Sequence, residues 1–354
     1  MDKTYADTVR LLLAVAPDVF ANDIFAMKGG TAINLFVRDM PRLSVDIDVV
    51  YLPWQTPRDE ALQAINQELA AIAARVAPLG VQTRLVRAKD LGDTKLIVEN
   101  DASQVKIEVN VVFRGSVLPV ERRPLSAKTS DLFGVEFELP VLAPDELYAS
   151  KLVAALDRQH PRDLFDVWQL YESGDISDGM VECFVIYLAG HNRPPHEVLF
   201  GNDKDIAGEY ERAFVGMTEV DCSLEMLLDA RARLRRELPQ RLSTAHKQFL
   251  SGLARAEPDW SLVRCQAGPA DGWLTQDALW LVSKTVSDKL RAHLLSQGID
   301  GIPASNTAVF NVLQDHGIVQ PTPDGKAIWK AAVTSEAGWS HAFTFLKLSP
   351  AMIW

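Results

Sequence analysis

The chain has 354 residues, 47% hydrophobic and 23% charged, with a formal net charge of −11. That is the make-up of ordinary globular domains, in a chain long enough for two or three of them. The acidic balance argues against a large non-specific nucleic-acid surface, since an acidic field repels phosphate, but leaves room for a local basic groove. No apolar stretch is long enough to span a bilayer, and the amino-terminal run, interrupted by Asp7, Arg10 and Asp18, does not read as a signal peptide. Cys183, Cys222 and Cys265 are too dispersed for metal-ligand spacing. Free thiols in a reducing cytoplasm, away from membranes, are the expectation.

In chain order, the sequence predicts a helix to about Phe20, a short strand at Phe25-Ala26-Met27 and helical spacing from Thr31 to Arg38. Leu43 to Leu52 alternates and then turns wholly apolar, as a strand buried on both faces does. Pro57 to Ala77 is helical. Strands follow at 81–86, 94–99 and 105–113, with another at 135–142. From Pro144 the pattern becomes helical: a helix capped by Asp145 and running to about Gln159, a new one opened by Pro161, and others at 179–188, 203–214 and 222–250. After a linker at 265–272, a long helix over 274–295, a shorter one ending at His316-Gly317 and two strands at 327–333 and 342–348 describe a winged-helix-like module. The domains expected are 1–143, an α+β core; 144–262, a helical lobe completing the site; and 273–354, the tail.

Two strings carry the chemistry. In Arg42-Leu43-Ser44-Val45-Asp46-Ile47-Asp48 the two aspartates are two apart on a strand and share a face, the arrangement that holds a pair of Mg²⁺ ions with hard oxygen ligands. Apolar flanks make such a buried acid pair costly unless a cation compensates it. In Lys106-Ile107-Glu108-Val109-Asn110, Glu108 projects from a neighbouring strand and suits a general base with a share in the metal; the same alternation also fits a plain solvated face. Lys28-Gly29-Gly30-Thr31 lies between a strand and a helix start, where bare backbone N–H groups can converge on phosphate, with Thr31 and Lys28 as further ligands. A Gly-Gly pair is also compatible with a simple turn.

Lys-Gly-Gly-Thr-Ala followed by Arg-Leu-Ser-Val-Asp-Ile-Asp resembles the AbiEii/AbiGii (MenT-like) toxin family of the DNA-polymerase-β-type nucleotidyltransferases. The likeness continues at 151–158 (Lys-Leu-Val-Ala-Ala-Leu-Asp-Arg) and 162–166 (Arg-Asp-Leu-Phe-Asp). The resemblance implies an α+β DNA-polymerase-β-like core with a mixed sheet, and Mg²⁺-dependent transfer of a nucleotide from NTP, onto tRNA ends in characterised relatives. It also implies the setting of a toxin–antitoxin or phage-defence pair. Asp46 and Asp48 would then bind metal; Gly29, Gly30, Thr31, Ser44 and Arg162 would line the nucleotide; Lys151 would neutralise the triphosphate; and Asp163 or Asp166 would order the site. A structural Arg–Asp bridge between two helices is the other reading of 162–166.

A run of arginines (Arg231, Arg233, Arg235, Arg236, Arg241) with Lys247 suits either a nucleic-acid clamp or a solvated helix face paired with Asp229 and Glu237. The tail is similar to the C-terminal domain of TraI/MobH-type relaxases, which implies an accessory that contacts DNA or protein, without nicking. The leading expectation is a nucleotidyltransferase toxin acting on RNA. Transfer to a protein or an aminoglycoside, or a non-catalytic nucleic-acid-binding protein, are the alternatives.

Overall fold

The computed structural model describes residues 3–88, 92–111, 113–255, 257–263, 272–274, 278–283, 286–287, 290–291, 294, 299–303, 305–334 and 340–349. The chain divides into two compact units, Met1–Gly268 and Pro269–Trp354. The first contains α1 (Lys3–Val19), β1 (Phe25–Lys28), α2 (Gly29–Ala32, continued by a π-helical turn over Ile33–Val37), β2 (Ile47–Tyr51), α3 (Arg58–Val76), β3 (Gln82–Ala88), β4 (Gly92–Glu99) and β5 (Gln104–Asn110). It continues with β6 (Glu121–Pro124), α4 (Ala127–Phe133), β7 (Glu138–Val141), α5 (Pro144–Asp157), α6 (Pro161–Ser173), α7 (Asp178–Ala189), α8 (Pro195–Leu199), α9 (Ala207–Ala213), α10 (Leu224–Arg241) and α11 (Thr244–Ala254).

The α+β class holds. The seven strands form one mixed sheet in the order β3-β4-β5-β2-β1-β7-β6, in which β2 runs antiparallel to β1 and parallel to β5. Ile47, Val49, Val50 and Tyr51 of β2 are buried, as a central strand requires, and Asp48 is its only half-open position. On β5, Val105, Ile107 and Val109 enter the core that α1 and α3 share, leaving Lys106 and Glu108 on the opposite, open face. Helix α3 meets that core through Ala61, Ile65, Leu69, Ile72 and Val76, a stripe at helical spacing.

Helix α5 packs on α6 and α7 and is buried around most of its circumference, so its two buried charges, Glu146 and Lys151, have only protein to answer them. Two residues past its end, Gln159 adopts a left-handed φ of +54°. The Gln159 amide steadies that turn by donating to the Asn202 carbonyl and accepting from the Lys204 N–H and Arg231. Pro161 then starts α6 behind His160, whose Nδ1 caps the Arg162 N–H. The reversal brings Asp163 back against Lys151.

Several expected boundaries move. The strand expected from Leu43 starts only at Ile47, because residues 43–46 are tied to other segments: the Leu43 N–H donates to the Met217 carbonyl and the Ser44 N–H to the Tyr5 hydroxyl. Asp145 sits in the first turn of α5 while Ala143 occupies the cap position. The helix expected over 222–250 is two, because Ser243 and His246 form a reciprocal capping box that starts α11 afresh. The short polar strand β6 and helix α4 were not expected.

The second unit is an antiparallel sheet of β8 (Gly272–Leu274), β9 (Leu279–Val282), β10 (Trp329–Thr334) and β11 (Ser340–Leu348) in the order β10-β11-β9-β8, with α12 (Asn306–Asp315). Phe310, Val319, Ala327 and Leu346 form its core. The expected two-stranded ribbon is present as the antiparallel pair β10–β11. The start of the expected helix over 274–295 is strand, since Leu279 and Leu281 turn one way while Trp280 and Val282 turn the other. The expected ribbon is thus part of a four-stranded sheet; much of 284–298, and Cys265 in the linker, lie outside the described residues. No helix among the described residues is long and apolar enough to cross a membrane.

Candidate active site

Strand register assembles one row of charges on the open face of the first sheet. Lys28 of β1 is opposite Asp48 of β2, Asp48 is beside Glu108 of β5, and Glu108 is opposite Lys95 of β4. Asp46 lies one residue ahead of β2 rather than on it. Its carbonyl accepts a hydrogen bond from the Thr31 hydroxyl, and its carboxylate is 3.7 Å from Lys106. Glu108 pairs with Lys95 at 3.0 Å. The three acids are therefore neighbours, as expected, and the two outer ones each carry an exposed lysine.

The Asp48 carboxylate makes no hydrogen bond or ion pair among the described residues. Burial pushes its carboxyl above the usual range; Lys28 and Lys151 pull it down, while Asp46 and Glu108 push it up. A half-buried carboxylate with two acid neighbours and no direct partner is short of positive charge. The oxygen donors suit a hard cation such as Mg²⁺. Among the described residues no three His, Cys, Asp or Glu side chains are grouped to hold a metal alone.

The glycine turn is held to this row by close contact. Gly29 has φ +78°, and a Cβ there would lie 2.3 Å from Asp48 Oδ2; a Cβ on Gly30 would lie 2.6 Å from Arg42 Nη2 and 3.1 Å from Ser44 Oγ. Asn34, fully buried, donates to the Gly30 carbonyl at 2.8 Å and accepts from the Arg42 N–H at 3.3 Å. The Thr31 hydroxyl is buried and committed to Ser44 Oγ at 3.0 Å as well as to Asp46, so both hydroxyls brace the aspartate-bearing segment. Lys28 sits with its ammonium 5.7 Å from the Tyr187 ring centroid. Burial lowers its pKa against the pull of Asp48 and Glu146, with Lys151 lowering it further.

Behind the row stands a network of five charges, buried except for Arg158. Arg42 Nε and Nη2 donate to the two oxygens of Asp166 at 2.7 and 2.6 Å, across 124 residues of sequence. Lys151 Nζ bridges Asp163 at 2.8 Å and Asp166 at 3.1 Å. Arg158 clasps Asp163 with Nε and Nη2 at 2.5 and 2.9 Å. Burial alone would raise the Asp163 carboxyl, but Lys151 and Arg158 outweigh it and hold the group far below its ordinary range. Three cations against two anions leave an excess of positive charge beside Asp48. The Arg–Asp bridge therefore exists, built by Arg42 and Arg158, while the Arg162 side chain makes no ion pair among the described residues.

Arg42, Asn34, Glu146 and Tyr187 were missed by sequence reasoning. Glu146 is fully buried and accepts from the Val117 and Leu118 N–H groups and the Tyr187 hydroxyl, fixing the loop after β5. Burial raises its pKa against those three hydrogen bonds. Nothing in the spacing of Arg42 announced a partner 124 residues away, though its place in the acid-bearing string was a usable signal.

The basic run on α10 is not a free surface. Arg231 donates to Gln159 and the Lys204 carbonyl, Arg235 pairs with Asp203 at 2.8 Å, Arg233 and Arg236 pair with Glu237, and Arg241 pairs with Asp178. Arg233 also lies over the Tyr171 ring. Of the two partners expected on a solvated face, Glu237 is found and Asp229 is not among the pairs of the described residues; most of these arginines instead tie α10 to the lobe.

Residues 10–272 match the family model described as "Nucleotidyl transferase AbiEii toxin, Type IV TA system". Residues 228–328 match the TraI_2 model, described as "Putative helicase". Among solved structures, MenT4, a nucleotidyltransferase toxin from Mycobacterium tuberculosis H37Rv, is 18% identical, with 73% of this chain and 96% of that chain covered and a TM-score of 0.48. No curated protein matches the sequence.

Proposed function

Because the chain belongs to the AbiEii nucleotidyltransferase toxin family, we propose that it is an Mg²⁺-dependent toxin that transfers NMP from NTP onto RNA, at the 3′ end of tRNA. Family membership sets aside the non-catalytic alternative and implies NTP as donor and a cognate antitoxin. The observation that carries the finer reading is the register row Lys28–Asp48–Glu108, with Asp46 beside it and Lys151 within its electrostatic reach.

In this reading residues 1–143 supply the acids and the glycine turn, 144–262 supply Lys151 and its network, and the tail is an accessory that contacts nucleic acid or protein. Asp46 and Asp48, with a share from Glu108, would hold two Mg²⁺ ions. Bound Mg²⁺ supplies polarisation of the α-phosphate and neutralises charge on the triphosphate. Glu108 accepts the proton of the RNA terminal hydroxyl. That oxygen forms its bond to the α-phosphorus as the bond to the bridging oxygen breaks, and pyrophosphate leaves. Lys151, pinned by Asp163 and Asp166, and Lys28 favour the charge that develops on pyrophosphate, without having to reorganise. The Gly29-Gly30 backbone lies against the same phosphates; Thr31 and Ser44 shape the turn, and Arg162 is left to contact the nucleotide.

The test is incubation of the protein with each labelled NTP, Mg²⁺ and a tRNA pool. One or more NTPs should label RNA, and Asp48→Asn should lower transfer by at least about a hundredfold, the scale of losing one preorganised electrostatic group. No labelling of RNA by any NTP, or full activity in Asp46→Ala/Asp48→Ala, overturns the mechanism. Labelling of a protein or an aminoglycoside instead would reassign the acceptor.

A further inference from the structure

The acids of the open face lie between two sets of cations. On the β1 side are Lys28 and, from α5, Lys151, with Arg42 and Arg158 behind. On the other side the sheet extends outward through β5, β4 and β3. There Lys95 stands opposite Glu108, while Lys106 reaches Asp46 and shares its cross-strand row with Ile97 and Arg84. These three cations share the open face, because Leu96, Val98, Val105 and Ile107, which alternate with them, are buried in the core. Arg84 is exposed and forms no ion pair among the described residues. Between the cations the surface is aliphatic, with Val86 in the row of Lys95.

We propose that this wing, Arg84, Lys95 and Lys106, is the phosphate track of the acceptor: it takes the last nucleotides of a single-stranded RNA 3′ end whose terminal hydroxyl reaches Glu108. The proposal rests on the nucleotidyltransferase reading with an RNA acceptor. The β1 side is occupied in that reading by the triphosphate, so the acceptor must approach Glu108 from the β4 side. Two strands, β5 and β4, lie between the strands of Asp48 and Arg84, which are three strand spacings, about 14 Å, apart across the sheet. Lys95 and Lys106 are tied to Glu108 and Asp46 only by pairs whose side chains are 39–48% exposed. Such pairs contribute little, so both ammonium groups are free to swing to phosphate once substrate answers the acids. A polycationic aminoglycoside would meet repulsion on this wing, whereas a polyanion is attracted. The arginines of α10, by contrast, are already paired within the lobe.

The experiment measures binding of a tRNA pool against NaCl concentration for wild type, Arg84→Gln, Lys95→Gln and Lys106→Gln, with Arg236→Gln as control. All four sites are on the surface, and thermal melts verify folding. Each sheet variant should reduce the slope of log K against log salt by about 0.7, the single-strand value for one lost phosphate contact, and weaken binding several-fold. Arg84→Gln should also raise KM for RNA with KM for NTP unchanged, a split that a structural role would not produce. Arg236→Gln should move neither. RNA transfer with wild-type slopes in all three sheet variants overturns the wing alone. Failure of the wild-type protein to bind or label RNA overturns the reading of the acceptor, and the wing with it.

Discussion

Removing Arg42 tests whether the buried network holds the site together. Its guanidinium and the Asp166 carboxylate are 3% and 1% exposed and meet through two parallel hydrogen bonds. Burial works against the charged guanidinium, yet Asp166 more than reverses this and raises its pKa. Arg42→Met retains much of the side-chain volume and deletes the fork. Breaking a buried pair from one side costs about 3–5 kcal/mol, because the survivor is left charged and uncompensated. Here Asp166 keeps Lys151 at 3.1 Å, which places the expected loss near the low end, about 3 kcal/mol. In a unit of this size that lowers Tm by roughly 6–12 °C.

Urea denaturation followed by circular dichroism gives the free energy, and Arg42→Met/Asp166→Leu closes the cycle. The double variant should be less destabilised than the sum of the singles by about 2 kcal/mol, as contacting members of one network are. A single variant within about 1 kcal/mol of wild type, the centre of the range for ordinary substitutions, or strict additivity in the double, would refute the reasoning.

Asp48→Asn should raise Tm in EDTA, while losing NMP transfer. The sign follows from its raised pKa: the ionised form is disfavoured on folding, so stability is fully present below the unfolded pKa and declines as pH rises through the folded one. A fall in Tm contradicts this. Asp163 has the opposite sign: its depressed pKa adds stability above the ordinary value of 3.8 that is lost as pH falls. The stability deficit of Asp163→Asn against wild type, measured in urea, should therefore narrow below that point by about 1.4 kcal/mol per pH unit; a pH-independent deficit contradicts it. Gly29→Ala and Gly30→Ala should separate: the first loses transfer about a hundredfold through displacement of Asp48, and the second loses about 1–3 kcal/mol of stability by crowding Arg42. Equal effects of the two on both assays would count against the contacts assigned to them.

The acids and the glycine turn were legible because they are local. Period-two alternation placed Glu108, and the apolar flanks of Asp48 marked β2 as central. The lysine and Arg-Asp segments entered through family likeness, and their partners did not follow from it. The cation that meets Asp166 from outside its own lobe comes from residue 42, and the turn that returns Asp163 to Lys151 depends on a left-handed glutamine, which no glycine announced. On α10 the sequence named Glu237 as a partner of the arginines but not Asp203 or Asp178, which come from other segments of the lobe. In the tail, an apolar run with tryptophans was equally consistent with helix and strand, and pairing with β11 decided for strand over 279–282.

The two halves of the site obey opposite electrostatic logic, and the glycine pair lies where they join. Asp163 meets two cations and Asp166 two, so this half is fixed before any substrate arrives. Asp48 meets none directly and is pushed toward neutrality by burial, so it gains most when positive charge is supplied from outside. A rigid cationic half suits a triphosphate, whose charge must be matched in place; an under-compensated acidic half suits an ion that comes and goes with that triphosphate. Gly29 gives up its side-chain space to Asp48, and Gly30 gives up its space to Arg42 and Ser44. The two bare residues therefore serve the packing of the acids and of the network even before phosphate is considered. A phosphate-binding role alone would allow either glycine to be replaced wherever the backbone N–H stays in place; the steric demand from Asp48 on one side and Arg42 on the other allows neither.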